Sequence, residues 1–286
     1  MNEVHHRRAS DQSPNVAIVT DAGCDTPRIE RAHDAWTVVP ASVILDGREI
    51  VDDGESSREL VVAAIEADAT IIEPSTEAWA TAFDRHQNAE RVYSLHPAAS
   101  LSDGIQRARA AAGDDPRIQV VESRAASIAV GLIGVLLARR IASGATVPQL
   151  DAYVSALAQH AHVFVVPDHF DPRANQRELT SRLLAGKPMM TLTDGRTGRS
   201  HRLRSRRATI AAIERYFDTH APHEGNLHLA IGHADAAGAV DPFLDIIVRL
   251  RPEATVELVG RLGPSIVHGV GARCVGLAWV SSPTRS

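Results

Sequence analysis

Cysteine is scarce in this chain. The two present, Cys24 and Cys274, lie far apart in the sequence. A disulfide framework needs more, so a reducing cytoplasm is the expected setting. No apolar run reaches the roughly 20 residues that span a bilayer. The first residues, polar and basic at His5, His6, Arg7 and Arg8, lack the apolar stretch of a signal peptide, and residues 1–14 read as a disordered tail. Charge of one sign is missing too. Thirty basic and 35 acidic side chains leave a net charge of -5, which calls for neither nucleic acid nor an anionic membrane as partner. Catalytic signatures are equally absent. There is no Gly-x-Ser-x-Gly elbow, no Gly-x-x-x-x-Gly-Lys-Ser/Thr phosphate loop and no Gly-x-Gly-x-x-Gly after the first strand. The chain has 14 histidines, but His160 with His162, and His220 with His223, find no third ligand at a convincing interval. No metal and no cofactor is expected.

What is present is a long enough chain, 286 residues with 44% apolar side chains, to bury a sizeable core in two domains. The first half alternates strand and helix. Strands are expected at 17–19, 37–45, 91–95 and 118–121. Helices are expected at 60–67, opened by a Ser56–Glu59 capping box, at 75–86, 102–112, 127–143 and 148–160, with Gly144 as a C-cap glycine. Such alternation predicts a parallel sheet with helices on its faces. The second half reads differently. Strands at 163–166 and 189–193, an Asp194-Gly195 turn and a return over 199–204 suggest a hairpin. Helices at 205–220 and 237–250 and strands at 228–233, 255–259 and 275–280 complete a mixed sheet. The fold class expected is therefore α/β in two domains: an N-terminal parallel-sheet, three-layer domain over 15–160 and a C-terminal mixed-sheet α+β domain over 161–286.

The segment Val16 to Pro27 carries most information. An apolar strand runs into Thr20-Asp21 and a small-residue turn, which places a polar pair at the carboxyl end of a buried strand, where ligands collect in open α/β sheets. Further along come Val39-Pro40 with Asp46-Gly47 and Asp53-Gly54, Pro74-Ser75, Leu101-Ser102-Asp103-Gly104, Lys187-Pro188 with Asp194-Gly195, Arg204-Ser205-Arg206, and His268-Gly269-Val270-Gly271-Ala272. In this order and spacing they resemble the DegV family of bacterial fatty-acid-binding proteins, over nearly the whole chain. The resemblance implies two α/β domains with an acyl chain buried between them and its carboxylate met by hydroxyls and a histidine. It implies no catalytic machinery of the chain's own and, for some members, a separate kinase that phosphorylates the bound fatty acid.

The head-group positions depart from the family pattern. Its hydroxyls become Ala22, Ile71, Ile72, Ala98 and Ala99, its Thr falls at Gly104, and the closing motif is one residue shorter, so His268 aligns only across a gap. Hydrogen bonds to a charged group are worth roughly 1.5–3 kcal/mol each, so losing about three weakens a carboxylate complex by powers of ten. Candidate ligand contacts are Asp21, Ser75, His96, Ser100, Ser102, Arg204 and His268. Each has a simpler role open to it. Asp21 suits an Asx-type turn; Ser75, Ser100 and Ser102 suit helix N-caps; His96 suits a surface loop. Arg204 matches a family position linked to partner engagement, but it lies in a basic run with Arg199, Arg202, Arg206 and Arg207 that suits a solvated face or a dock for an acidic partner. Three functions follow: a fatty-acid-binding protein, an interaction module whose head-group pocket is plugged by Ile71 or Ile72, or an enzyme pairing His268 with Asp21 or Ser102.

Overall fold

The computed structural model describes residues 14–28, 31, 33–55, 58–66, 69–167, 187–270 and 273–282. Five layers stack through the molecule. At the centre of the first part are four parallel strands, β1 (Val16–Asp21), β2 (Trp36–Val39), β6 (Arg91–His96) and β7 (Ile118–Glu122), in the order β2-β1-β6-β7. Helices α2 (Thr76–Asp84) and α3 (Gly104–Ala112) cover one face, where Trp79, Phe83 and Ala108 pack on Ala17, Val19 and Val92. Helices α4 (Ile128–Ala142) and α5 (Val147–Gln159) cover the other.

Beyond α4 and α5 lies a mixed six-stranded sheet, built from β8 (His162–Pro167), β9 (Lys187–Thr193), β10 (Arg196–Leu203), β11 (Asn226–Ala234), β12 (Thr255–Arg261) and β13 (Cys274–Ser282), in the order β10-β9-β8-β13-β11-β12. Its outer face carries α6 (Arg206–His220) and α7 (Val240–Leu250), whose Phe217, Phe243 and Ile247 pack on Phe164, Leu229 and Trp279. The α4 and α5 layer thus serves both sheets. Helix α4 reads apolar on all sides because all sides are covered; a helix exposed on one face alternates polar and apolar residues. Twelve of its 15 residues are buried, and one continuous core joins Ile18 and Leu95 of the first sheet through Leu132 and Ile133 to Ala230 and Ala278 of the second. Close approach relies on glycine: a Cβ at Gly131 would stand 1.9 Å from Thr26 Oγ1, and one at Gly134 would stand 2.3 Å from the Trp36 ring.

The expected extended segment 37–45 is two strands. Pro40 lacks the N–H a ladder needs; the chain leaves the parallel sheet there and enters β3 (Ala41–Leu45), the middle of a small antiparallel sheet with β4 (Arg48–Asp52) and β5 (Thr70–Ile72). The Asp46-Gly47 turn holds, with φ of 48° and 76°. Strands β4 and β5, of five and three residues, and the short helix α8 (Pro264–Val270) are additions to the expected elements. Helix α1 (Arg58–Glu66) packs on α8. Residues 1–13 of the expected tail, Ser56 of the capping box, and Gly271 and Ala272 of the closing motif lie outside the described residues.

Candidate functional site

Strand order selects the place. The chain moves from β1 to β2 on one side and reaches β6 on the other, so the switch point lies between β1 and β6, and the crevice beyond their carboxyl ends is the expected ligand site. The last ladder pair there is Val19 with Ser94; two residues further along each parallel strand stand Asp21 and His96. Asp21 lines a cavity of about 300 Å³ between this edge and the six-stranded sheet. Val163, Phe164, Val165, Met190 and Leu192 wall its far side, and Ile266 and Val270 of α8 wall another. Its polar atoms come from Asp21, Glu73, Ser102, Ser127, Thr191, Thr197 and Ser265, and no described lining residue is basic. A second cavity of about 580 Å³ adjoins it through Glu73 and Ser265, and adds Ile71, Ile72, Ser75, Arg107 and His268.

Burial sets the electrostatics. Asp21 lines the cavity yet is largely desolvated. Its desolvation, reinforced by Glu73 and Asp52 and opposed by the Gly23 N–H, raises its pKa to about 7. Asp25, four residues on, is raised to about 8, again chiefly by burial. It differs in being satisfied: Ser127 Oγ donates to one carboxylate oxygen and the Gly263 N–H to the other, the latter at 2.8 Å. Asp25 therefore ties the turn after β1 to the start of α4 and to the loop leading into α8. Glu73 is held by Arg107, at 3.3 Å, which also donates to the Pro74 carbonyl at 3.3 Å.

The seven predicted contacts separate. Asp21 and Ser102 line the inner cavity. Ser102 is no N-cap of its helix in the usual sense; its Oγ accepts from the Gly104 N–H at 2.9 Å. Ser75 and His268 line the outer cavity. Ser75 also caps α2, accepting from Ala78 N at 3.2 Å, and His268 is exposed. His96 is no surface residue: it is fully buried, 4.6 Å from the Trp79 ring centre, with Nε2 2.7 Å from Ser94 Oγ and no partner for Nδ1 among the described residues. Burial, then Arg109, lower its pKa to about 3, so it is neutral. Ser100 lines neither cavity. Its Oγ donates to the Gly195 carbonyl at 2.6 Å, and the Gly195 N–H donates to Arg124 O at 2.9 Å, so the β9–β10 turn is clasped to the first sheet's loops. Arg204 is exposed and lines neither cavity.

The proposed plug is not in place. Ile71 leans on the small sheet beside Val43 and Leu45, and Ile72 is 49% exposed; both border the outer cavity and leave the inner one open. No hydrogen bond joins His268 to Asp21 or Ser102 among the described residues. In the six-stranded sheet, His228 stands between Glu257 (2.7 Å) and Ser282 (3.0 Å). Neither cavity reaches this chain of contacts, and Glu257 is also held by Arg139. Among the described residues, no three His, Cys, Asp or Glu side chains are placed to hold a metal ion.

The family profile described as "Uncharacterised protein, DegV family" matches residues 15–282. The chain belongs to the DegV family. A DegV domain-containing protein of Mycobacterium tuberculosis is 26% identical over 273 residues, covering 92% of this chain and 96% of the relative. Among solved structures, a DegV family protein from Thermus thermophilus, described by its fatty acid binding, superposes with a TM-score of 0.77 at 26% identity, over 93% of this chain and 99% of that one. DegV of Bacillus subtilis, a fatty acid binding protein, shares the fold at a TM-score of 0.76 and 19% identity, over 94% and 100% of the two chains.

Within this DegV chain, sequence reasoning missed Glu73, Asp25, Thr191, Thr197 and Ser265. Glu73 immediately precedes the Pro74-Ser75 pair that carries part of the family resemblance. Asp25 sits inside the opening segment, but its burial comes from α4 and the loop before α8, far along the chain. Thr191 and Thr197 reach the cavity from the β9–β10 hairpin, whose turn is clasped to the first sheet's loops.

Proposed function

We propose that this chain binds a long-chain amphiphile, in the first instance a fatty acid, with its tail in the inner cavity between the two sheets. One observation carries the reading. The cavity lies at the switch point of the parallel sheet, has a largely apolar wall from β8, β9 and α8, and meets Asp21, Ser102 and Ser127 on the parallel-sheet side. At about 300 Å³ it falls at the lower end of the range for small-molecule sites, which are mostly apolar with a few convergent polar groups. The solved relatives that bind fatty acids share this fold. The reading extends to a cytoplasmic carrier that offers its ligand to a separate kinase, docked on the exposed arginines Arg199, Arg204 and Arg207. It also takes residues 15–160 and 161–286 as two domains.

The test is native mass spectrometry of protein purified from a lipid-containing host. The expected result is one bound amphiphile per chain, released on denaturation and identified by mass. Protein that emerges empty, and that fails to take up dodecanoic acid on titration, overturns the reading.

A further inference from the structure

The inner cavity has an unusual head-group end for a carboxylate ligand. Two carboxylates, Asp21 and Glu73, line it, and no described lining residue is basic. Asp21 and Ser102 come close together beside Gly104. Around the point where a Cβ on Gly104 would stand, Ser102 Oγ lies at 3.1 Å, Asp21 Oδ2 at 3.8 Å and His96 Nδ1 at 4.0 Å. His96 Nδ1 is buried and unpartnered among the described residues. Asp21, from the end of β1, and Ser102, from just before α3, therefore stand near one another on the cavity wall.

We infer that this site takes its amphiphile by a head that donates a hydrogen bond, so that a fatty acid binds as the neutral acid, with its O–H given to the Asp21 carboxylate and its carbonyl oxygen facing Ser102. The inference rests on the lipid-binding reading above. A neutral carboxyl has one donor and one acceptor; Asp21 offers it an acceptor, and Ser102, whose Oγ accepts from the Gly104 N–H, offers a donor. Two ionised carboxylates at such range repel, and the stable state of a close pair shares one proton.

The groups around Asp21 favour this state. Glu73 faces it from the loop after β5, Asp52 from the end of β4, and Asp25 and Cys24 from its own turn; all four are acidic or neutral. His96, at the end of β6, is neutral. The nearby cation on α3, Arg107, already spends its guanidinium on Glu73 and Pro74. His268 borders the outer cavity in open solvent, where charge pairing is weak. The raised pKa of Asp21, about 7, adds a pH signature. The free acid ionises near pH 4–5. Above about pH 7 both partners start ionised, so forming the complex takes up one proton from solvent, and affinity for the acid falls toward tenfold per pH unit. An alcohol of equal length carries its own proton and escapes this dependence.

The experiment is isothermal titration calorimetry of the full chain at pH 8 with dodecanoic acid and with 1-dodecanol, each in two buffers of different ionisation enthalpy. Expected are about one proton taken up per dodecanoic acid, none per dodecanol, and dodecanol binding at least tenfold tighter than the acid. Asp21→Asn presents an amide N–H to a carboxylate, and is expected to abolish proton uptake and tighten acid binding at pH 8 about tenfold. Should that variant fail to fold, the wild-type proton count decides alone. Tight acid binding with no proton uptake overturns the inference while the lipid-binding reading stands, and places the head in the outer cavity. If neither ligand binds, both fall.

Discussion

The parallel sheet and the six-stranded sheet meet the same cavity with different chemistry. From the parallel sheet and its loops come Asp21, Ser102 and Ser127, with Glu73 from the loop after β5 of the small sheet; from the six-stranded sheet come Val163, Phe164, Val165, Met190 and Leu192, with Thr191 and Thr197 as its polar contribution. The difference follows from which part of each sheet is presented. A parallel sheet offers its carboxyl edge, where strands end and loops begin, so side chains there are free of strand alternation. The six-stranded sheet offers a face and a hairpin, and a buried face is apolar. On the proposed amphiphile reading, one sheet sets what the ligand's head must be, the other how much tail it can have.

The two sheets are joined through α4, and the largest expected effect lies there. Gly131→Ala drives a methyl into Thr26 and the Cys24 carbonyl. It is expected to lower stability by about 3 kcal/mol, read from urea unfolding. A loss below roughly 0.5 kcal/mol breaks the idea that α4 clamps the turn beneath Asp21. The second test fills the apolar wall. Met190→Trp is expected to leave the melting temperature within a few degrees and to weaken dodecanoic acid or dodecanol binding at least tenfold, about 1.4 kcal/mol. Unchanged affinity for both would mean that the tail lies elsewhere.

A third test separates the two aspartates by pH. Folded Asp25 keeps its proton up to about pH 8 and Asp21 up to about 7, while the unfolded chain loses both near pH 4. The unfolded state then binds fewer protons, and stability declines as pH rises. Neutral buried histidines, with His96 lowered to about 3 and His162 and His233 also lowered by burial, act the other way below roughly pH 6.5. The melting temperature is therefore expected to fall between pH 6.5 and 8. Asp25→Asn is expected to lose about 1 kcal/mol at pH 6.5, since Ser127 or Gly263 forfeits an acceptor, and to flatten that fall. A wild-type melting temperature that climbs over this range would refute the assignment. Smallest of all is Arg204→Ala. With the side chain exposed, stability should move by less than about 0.5 kcal/mol and ligand affinity not at all. A change in affinity would show that the basic run reaches the cavity.

Most of the fold could be read from pattern. Alternating strands and helices before residue 160 produced the parallel sheet, and the apolar, alanine-rich 127–143 stretch announced a long helix. The small sheet escaped because its signals are faint: Thr70–Ile72 is three residues long, and Val51, with 63% exposure, breaks the usual apolar-in pattern. At the site, the sequence located Asp21 and Ser102, residues whose place follows from where a strand ends and a helix begins. It misplaced His96 because a histidine after an apolar strand looks like a loop residue until Trp79 is seen packed over it. It misplaced Ser100 because the partner, Gly195, belongs to a turn 95 residues away.

The contrast between Gly131 and Ile72 bears on how such a protein can change over time. At Gly131 any side chain collides with backbone, so that position is closed to substitution whatever the ligand. Ile72 projects half into solvent, and exchanging it for serine or threonine costs little folding energy. Ligand preference can therefore drift by single steps at the cavity rim, each nearly neutral for stability, while the framework that positions Asp21 stays fixed. In a scaffold arranged this way, specificity is the easiest trait to lose and the easiest to acquire.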